Sequence, residues 1–189
     1  MVHRICPWWL GYFLISPLRR WLQAPVAIVK PYIREGMTVL EPGPGMGFFT
    51  LELARLAGTS GRVVSVDVQP RMIAKLKRRL AKAGLLERTD ARLVSPDSLG
   101  VLDLQGKVDF VLAMAMVHEM PSSARFFAEV AQAMKPGATL LLAEPSGHVT
   151  KAAFDAELQD AAAAGLELKD RPAIRRSHAA LLKKPGSQA

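Results

Sequence analysis

Twelve residues, Val39-Leu40-Glu41-Pro42-Gly43-Pro44-Gly45-Met46-Gly47-Phe48-Phe49-Thr50, restrict the fold of this chain more than any other stretch. An apolar pair runs into an acid, then three glycines at alternate positions, then helix-spaced Leu51, Leu53, Ala54 and Leu56. Glycines so placed let a strand turn sharply into a helix while the backbone closes on a ligand that no Cβ would allow. A second apolar run, Val63-Val64-Ser65-Val66, follows and ends in Asp67. An acid at the tip of a second strand is placed to accept both hydroxyls of a ribose. Strand, glycine turn, helix, strand, acid is the order of a nucleoside-cofactor half-site.

The glycine spacing separates the candidates. A dinucleotide site wants Gly-x-Gly-x-x-Gly, but counted from Gly43 the third glycine position holds Phe48. Read as acid-x-Gly-x-Gly-x-Gly, the run fits at Glu41, Gly43, Gly45 and Gly47. In that form it resembles motif I of the class I S-adenosylmethionine-dependent methyltransferases. The residues alone leave open a glycine turn without a ligand and a nicotinamide enzyme.

Later segments extend the resemblance. Asp97-Ser98, after Leu93-Val94, is similar to the acid ending the third strand, with Asp90 near enough to compete for that place. Asp109 to Met116 resembles the fourth strand, and Val117-His118-Glu119-Met120-Pro121 the loop leaving it. Phe126 to Pro145 resembles the next helix, its Lys135-Pro136-Gly137 stop and the fifth strand. The likeness runs from about Gly36 to Lys184. It implies an α/β, single-domain, Rossmann-like sheet with helices on both faces. Six parallel strands and a reversed last strand make up that sheet. The reversed strand falls near Ala179–Lys184 and pairs with Leu166–Ile174.

Length and composition agree with one domain. The chain has 189 residues, half of them apolar, and its apolar runs alternate with helical stretches. The expected division is an arm over 1–35, a methyltransferase domain over 36–184 and a flexible tail over 185–189. The single cysteine, Cys6, excludes an internal disulfide and a thiol cluster for zinc or arsenic. A reducing, cytoplasmic compartment is the simpler expectation. No metal-ligand spacing is present, since His118-Glu119 lacks the second histidine of a helical zinc motif.

The net charge of +8 is uneven. Residues 1–35 hold five Lys/Arg and one acid, residues 166–189 hold six and two, and the segment between is neutral. Such ends suit an anionic partner or serve solubility alone. The arm from Ile5 to Pro17 is the least polar part, too short for a membrane span and poorly matched to a signal peptide. Three readings of it stay open: a cover over the cofactor, a peripheral membrane contact through residues 5–20, and a dimer contact. Trp21-Leu22 and Val26-x-x-Val29 then predict a short amphipathic helix.

The resemblance implies the site. Gly43, Gly45 and Gly47 let the backbone approach the methionine and ribose of S-adenosylmethionine, and Glu41 orients the ammonium through water. Asp67 holds the ribose, Met72 covers an adenine face, and Asp97 with Ser98 reads the adenine edge. Met72 reads equally as helix core, and Ser98 as a helix N-cap before Leu99. His118 is the candidate base, with Glu119 to orient it or to face solvent; Glu144 and His148 are further candidates. The run Ala113-Met114-Ala115-Met116 stands where amide and adenine methyltransferases carry Asn/Asp-Pro-Pro-Tyr/Phe, which argues against that class. The expected acceptor is a small molecule, anionic or hydrophobic and membrane-associated, with S-adenosylhomocysteine as product. An RNA-modifying or RNA-binding protein is the alternative. Arg175-Arg176 are expected at the carboxyl edge of the sheet and Lys183-Lys184 at the opposite one, where neither lysine has a role.

Overall fold

Near-continuous apolar runs such as Val39-Leu40 and Val63-Val64 form strands that must be covered on both faces, and all four of these side chains are fully buried. The computed structural model of the chain describes residues 24–186. The Trp-rich arm through Leu22 and the last three residues of the tail lie outside the described residues. Two compact units divide the chain, one ending at Ser95 and one beginning at Pro96.

The first unit comprises α1 (Pro25–Val29), β1 (Thr38–Pro42), α2 (Thr50–Ala57), β2 (Arg62–Asp67), α3 (Pro70–Lys82) and β3 (Thr89–Leu93). β2 lies between β1 and β3, parallel to both, with Leu40 opposite Val64 and Val64 opposite Asp90. Proline opens α3, where its missing N–H costs nothing. Met72, Ile73, Leu76 and Leu80 then fall on one face and are buried. Burying each such side chain contributes about 1.5–3 kcal/mol. The other face exposes Arg71, Lys77, Arg78 and Lys82. In α1 the buried pair is Pro25 and Val29, four residues apart, while the Val26 of the expected stripe is 38% exposed. Asp90 belongs to the middle of β3, bound by Arg62 at 2.5 Å and Arg92 at 2.7 Å. It is therefore part of a surface ion cluster and not the acid that ends a strand.

The second unit comprises β4 (Val108–Met114), α4 (Ser123–Ala133), β5 (Met134–Pro145), α5 (Lys151–Ala163), β6 (Glu167–Asp170) and β7 (Ser177–Lys183). Ser122 and Thr150 cap α4 and α5, accepting from Arg125 N and Ala153 N, each at 3.2 Å. β5 begins before the Lys135-Pro136-Gly137 stop that was expected to precede it. Its pairing with β4 slips from Val108–Met134 to Phe110–Thr139, and this irregularity absorbs the proline and glycine. β7 runs antiparallel to β5 on one side and to β6 on the other. β6 is shorter than the expected 166–174, because Pro172 cannot donate to a ladder. Its residues, Glu167 to Asp170, are all exposed, and their charges blunt an open sheet edge. In the first unit the three strands run parallel, in the second β4 and β5 run parallel and β7 is reversed, and with the helices that alternate with these strands this is the expected Rossmann-like α/β class.

Lys183 and Lys184, alike in the sequence, differ in the fold. Lys184 Nζ donates to the carbonyls of Ala131, 2.7 Å away, and Met134, 2.9 Å away. These belong to the C-terminus of α4, where helix carbonyls lack partners and the dipole favours a cation. Lys183 ends β7 opposite Thr139. Lys184→Ala is expected to lower the unfolding free energy in urea by about 1–2 kcal/mol. Lys183→Ala is expected to stay within about 0.5 kcal/mol. Equal losses in the two variants would mean that water serves the α4 carbonyls as well as Lys184 does.

Candidate active site

In the first unit, the loop after β1 is held from three sides. Gly43 N donates to Val66 O and Gly47 N to Pro44 O, each at 2.9 Å, while Arg79 of α3 donates to Met46 O. Gly45 and Gly47 have φ of +55° and +83°, a region open mainly to glycine, yet their surroundings differ. A Cβ on Gly47 would come within 2.5 Å of Leu76 Cδ1, whereas one on Gly45 would meet nothing within 4 Å. Gly47 therefore serves internal packing, and Gly45 leaves bare backbone beside free space, as a closely bound ligand requires.

Glu41 is buried, and its Oε2 accepts from Thr50 Oγ1 at 2.5 Å and Ser65 Oγ at 2.9 Å. One carboxyl thus ties β1 to the start of α2 and to β2. Burial pushes this carboxyl up to about 7, against the opposing pull of the two hydroxyls, and the charge of Asp67 adds to the rise. Asp67 ends β2, buried, with Oδ1 accepting from Gln69 N at 2.9 Å. That turn fixes the carboxylate at the carboxyl end of the strand. Met72 is buried in the inner face of α3.

A carboxyl held above its ordinary value binds its proton more tightly in the folded state. The stabilisation it gives is complete below about 4.5 and is lost as pH rises through about 7. Glu41→Gln is therefore expected to flatten the fall in stability between pH 4.5 and 8, removing a loss on the order of 3 kcal/mol. Chemical denaturation of both proteins across this range checks it; parallel curves would disprove the assignment.

In the second unit, Asp97 is exposed and Ser98 half-buried. Ser98 Oγ donates to Glu129 Oε2 at 3.0 Å and accepts from Gly100 N at 3.1 Å, and Leu99 N also donates to Glu129, at 2.8 Å. No helix begins at Leu99, so Ser98 closes a turn and does not cap a helix.

β4 ends at Met114, and Ala115 takes φ +56°, which is uncommon for a residue with a side chain. Its N–H donates to Ala143 O at 2.7 Å. The chain then reverses, and Met116 N and Val117 N both donate to Glu144 Oε1, at 3.2 and 2.8 Å. Glu144 has no exposed surface, and its other oxygen pairs with His118 Nδ1. The hydrogen bond to Glu144 raises His118 above its usual range, against the opposing effect of burial. Glu119 Oε1 lies 3.9 Å from Nε2, beyond hydrogen-bond reach. The acid that orients His118 is thus Glu144, ahead of Glu119. His148 stacks its ring on His118 with centroids 6.5 Å apart.

His118 borders a pocket of about 270 Å³ that Glu157 and Asp160 of α5 also line. Neither acid was a candidate from sequence. The signal lies in Phe154, Glu157 and Ala161, which share the buried stripe of α5 and place a carboxyl among apolar partners. Arg176, with φ +58°, accepts from Ser146 N at 3.0 Å just beyond the carboxyl end of β5, where the turn was expected. Among the described residues no group of His, Cys, Asp and Glu is arranged to hold a metal. Among the same residues no helix is long and apolar enough to cross a membrane.

Residues 33–174 match a family described as a methyltransferase domain. The chain is similar to the arsenite methyltransferase of Halobacterium salinarum, 31% identical over 109 residues, which are 58% of this chain and 27% of that protein. It is also similar to the protein-L-isoaspartate O-methyltransferase of Korarchaeum cryptofilum, 29% identical over 143 residues, 65% of this chain and 64% of that protein. The chain thus spans less than two-thirds of the length of either relative. The crystal structure of a SAM-dependent methyltransferase from Aquifex aeolicus shares the fold. Its TM-score is 0.85 at 22% identity, covering 95% of this chain and 100% of that one. The glycine loop, Asp67, the mixed sheet and the family match together place this chain in the methyltransferase-domain family, whose class I fold takes S-adenosylmethionine as cofactor.

Proposed function

We propose that this chain methylates a small acceptor, with His118 as general base and Glu144 as its positioning residue. The observation that carries this reading is the His118–Glu144 pair at a pocket of about 270 Å³. Glu144 accepts the Nδ1 proton, which fixes the tautomer and leaves Nε2 to receive a proton from the acceptor.

The first unit suits the cofactor by the bare backbone at Gly45 and by the fixed carboxylate of Asp67. S-adenosylmethionine, when bound, supplies a methyl on a positive sulfur, open to in-line displacement. Gly43, Gly45 and Gly47 would lie against its methionine and ribose portions, and Asp67 would accept the ribose hydroxyls. Glu41 would face the ammonium through water and Met72 an adenine face. Asp97 with Ser98 would read the adenine edge, the Ser98 hydroxyl being engaged with Glu129 as well.

The relatives' names do not carry an acceptor over. One names arsenite and the other protein L-isoaspartate. With one cysteine, this chain by itself supplies no thiol cluster for arsenic. RNA is the second reading, supported by α3, where six Lys/Arg stand without an acid in 13 residues. That helix has no aromatic residue on which a base could stack, which favours the small acceptor.

Gly45→Ala and Asp67→Ala are expected to fold and to lose cofactor affinity, Asp67→Ala by roughly 1.5–3 kcal/mol. Calorimetry that finds either variant binding as the parent does would remove that residue from the site. His118→Gln is expected to lower kcat by roughly 10²–10⁴-fold with cofactor affinity unchanged. Because Glu144 raises His118, the parent rate should climb with pH along a limb above 6.5. Glu144→Gln should shift that limb to lower pH while kcat falls. A limb that stays in place would deny Glu144 its positioning role.

A further inference from the structure

Taking His118 as the base of the proposed reaction, we infer that the pocket beside it accepts a molecule carrying a cationic nitrogen, held between Glu157 and Asp160. The inference rests on that functional reading and adds the chemical class of the acceptor.

Glu157 and Asp160 lie three residues apart on α5, hence on one face, and both line the pocket with His118. Glu157 is only 7% exposed, and its Oε2 makes no hydrogen bond. Among the described residues it is the one buried side-chain oxygen or nitrogen without a partner. A buried carboxyl oxygen left without a partner is costly. The protein meets part of that cost by protonation: burial, and then the charge of Glu144, push Glu157 up to about 8. Asp160 is partly exposed and accepts from Ser123 Oγ.

Among the described residues no lysine or arginine lines this pocket. Among the described residues the titratable groups around it are Glu119, Glu144, Glu157, Asp160 and His118, with His148 stacked on His118. An anionic acceptor would face uncompensated acids there. An ammonium would give Glu157 Oε2 the partner it lacks and would displace the proton of Glu157 into solvent. A neutral hydroxyl would leave that proton in place. Release of a proton on binding therefore separates the two.

The test uses the whole protein without cofactor, titrated calorimetrically at pH 7 with three probes of similar shape. These are tyramine, cationic; 4-ethylphenol, neutral; and 4-hydroxyphenylacetate, anionic. Two buffers of different ionisation enthalpy count the protons. Tyramine is expected to bind at least tenfold more tightly than either other probe and to release a proton, up to one per site. Glu157→Gln should weaken tyramine at least tenfold and abolish the release, and Asp160→Asn should weaken it several-fold. Both variants should leave 4-ethylphenol unchanged. Tyramine binding no better than 4-ethylphenol, or an unchanged tyramine affinity in Glu157→Gln, would overturn the inference. Methylation of neutral acceptors that depends on His118 but not on Glu157 would also overturn it, with the base assignment intact. Tyramine binding with proton release upholds the pocket whether or not any probe is methylated.

Discussion

A strand covered on both faces has no place for charge except near its end, and this constraint arranges the chemistry of the chain. Three of its buried acids, Glu41, Asp67 and Glu144, occupy the last or next-to-last residue of β1, β2 and β5. Each meets the cost of burial differently. Glu41 is served by two hydroxyls and holds its proton up to about 7. Asp67 takes a backbone amide in a turn. Glu144 takes two amides and an imidazole. Donors of this kind favour the charged form, whereas burial without enough of them favours the neutral one. The same buried chemistry is thus met by different donors according to what the local backbone offers.

The Glu144 arrangement depends on one unfavourable backbone conformation. Ala115 sits at positive φ, a cost of order 1 kcal/mol or more for a residue with a Cβ, and its N–H is held by Ala143 O. This reversal brings two successive amides onto one carboxylate oxygen and leaves the other for His118. Strain at Ala115 and order at His118 are two sides of one loop geometry.

The parts legible in the sequence were those in which backbone chemistry dictates residue type. Positive φ demands glycine at 43, 45 and 47, and buried parallel strands demand apolar runs, so the half-site order and the fold class could be read directly. The reversed strand was expected from the family resemblance alone, and β7 begins at Ser177, two residues before its expected start. What stayed hidden depends on side chains far apart in sequence. Glu144 reaches His118 across 26 residues, and Ser98 meets Glu129 across 31. Asp90 stood near enough to compete with Asp97 in the sequence, and Arg62, 28 residues away, binds it in the fold. Glu157 was obscured because an acid on a helix ordinarily faces water. Lys184 was read with Lys183 as mere charge, though only one of them reaches helix carbonyls.

β7 follows β6 in the chain yet lies between β5 and β6 in the second unit. During synthesis β6 leaves the ribosome with no strand to pair with, because its single neighbour has not yet been made. Until then β5 also presents an open edge on that side, with apolar Leu140, Leu141 and Leu142 along it. Cooperative assembly of these strands therefore waits for residues 177–183, and the nascent chain carries an unpaired, aggregation-prone border up to that point.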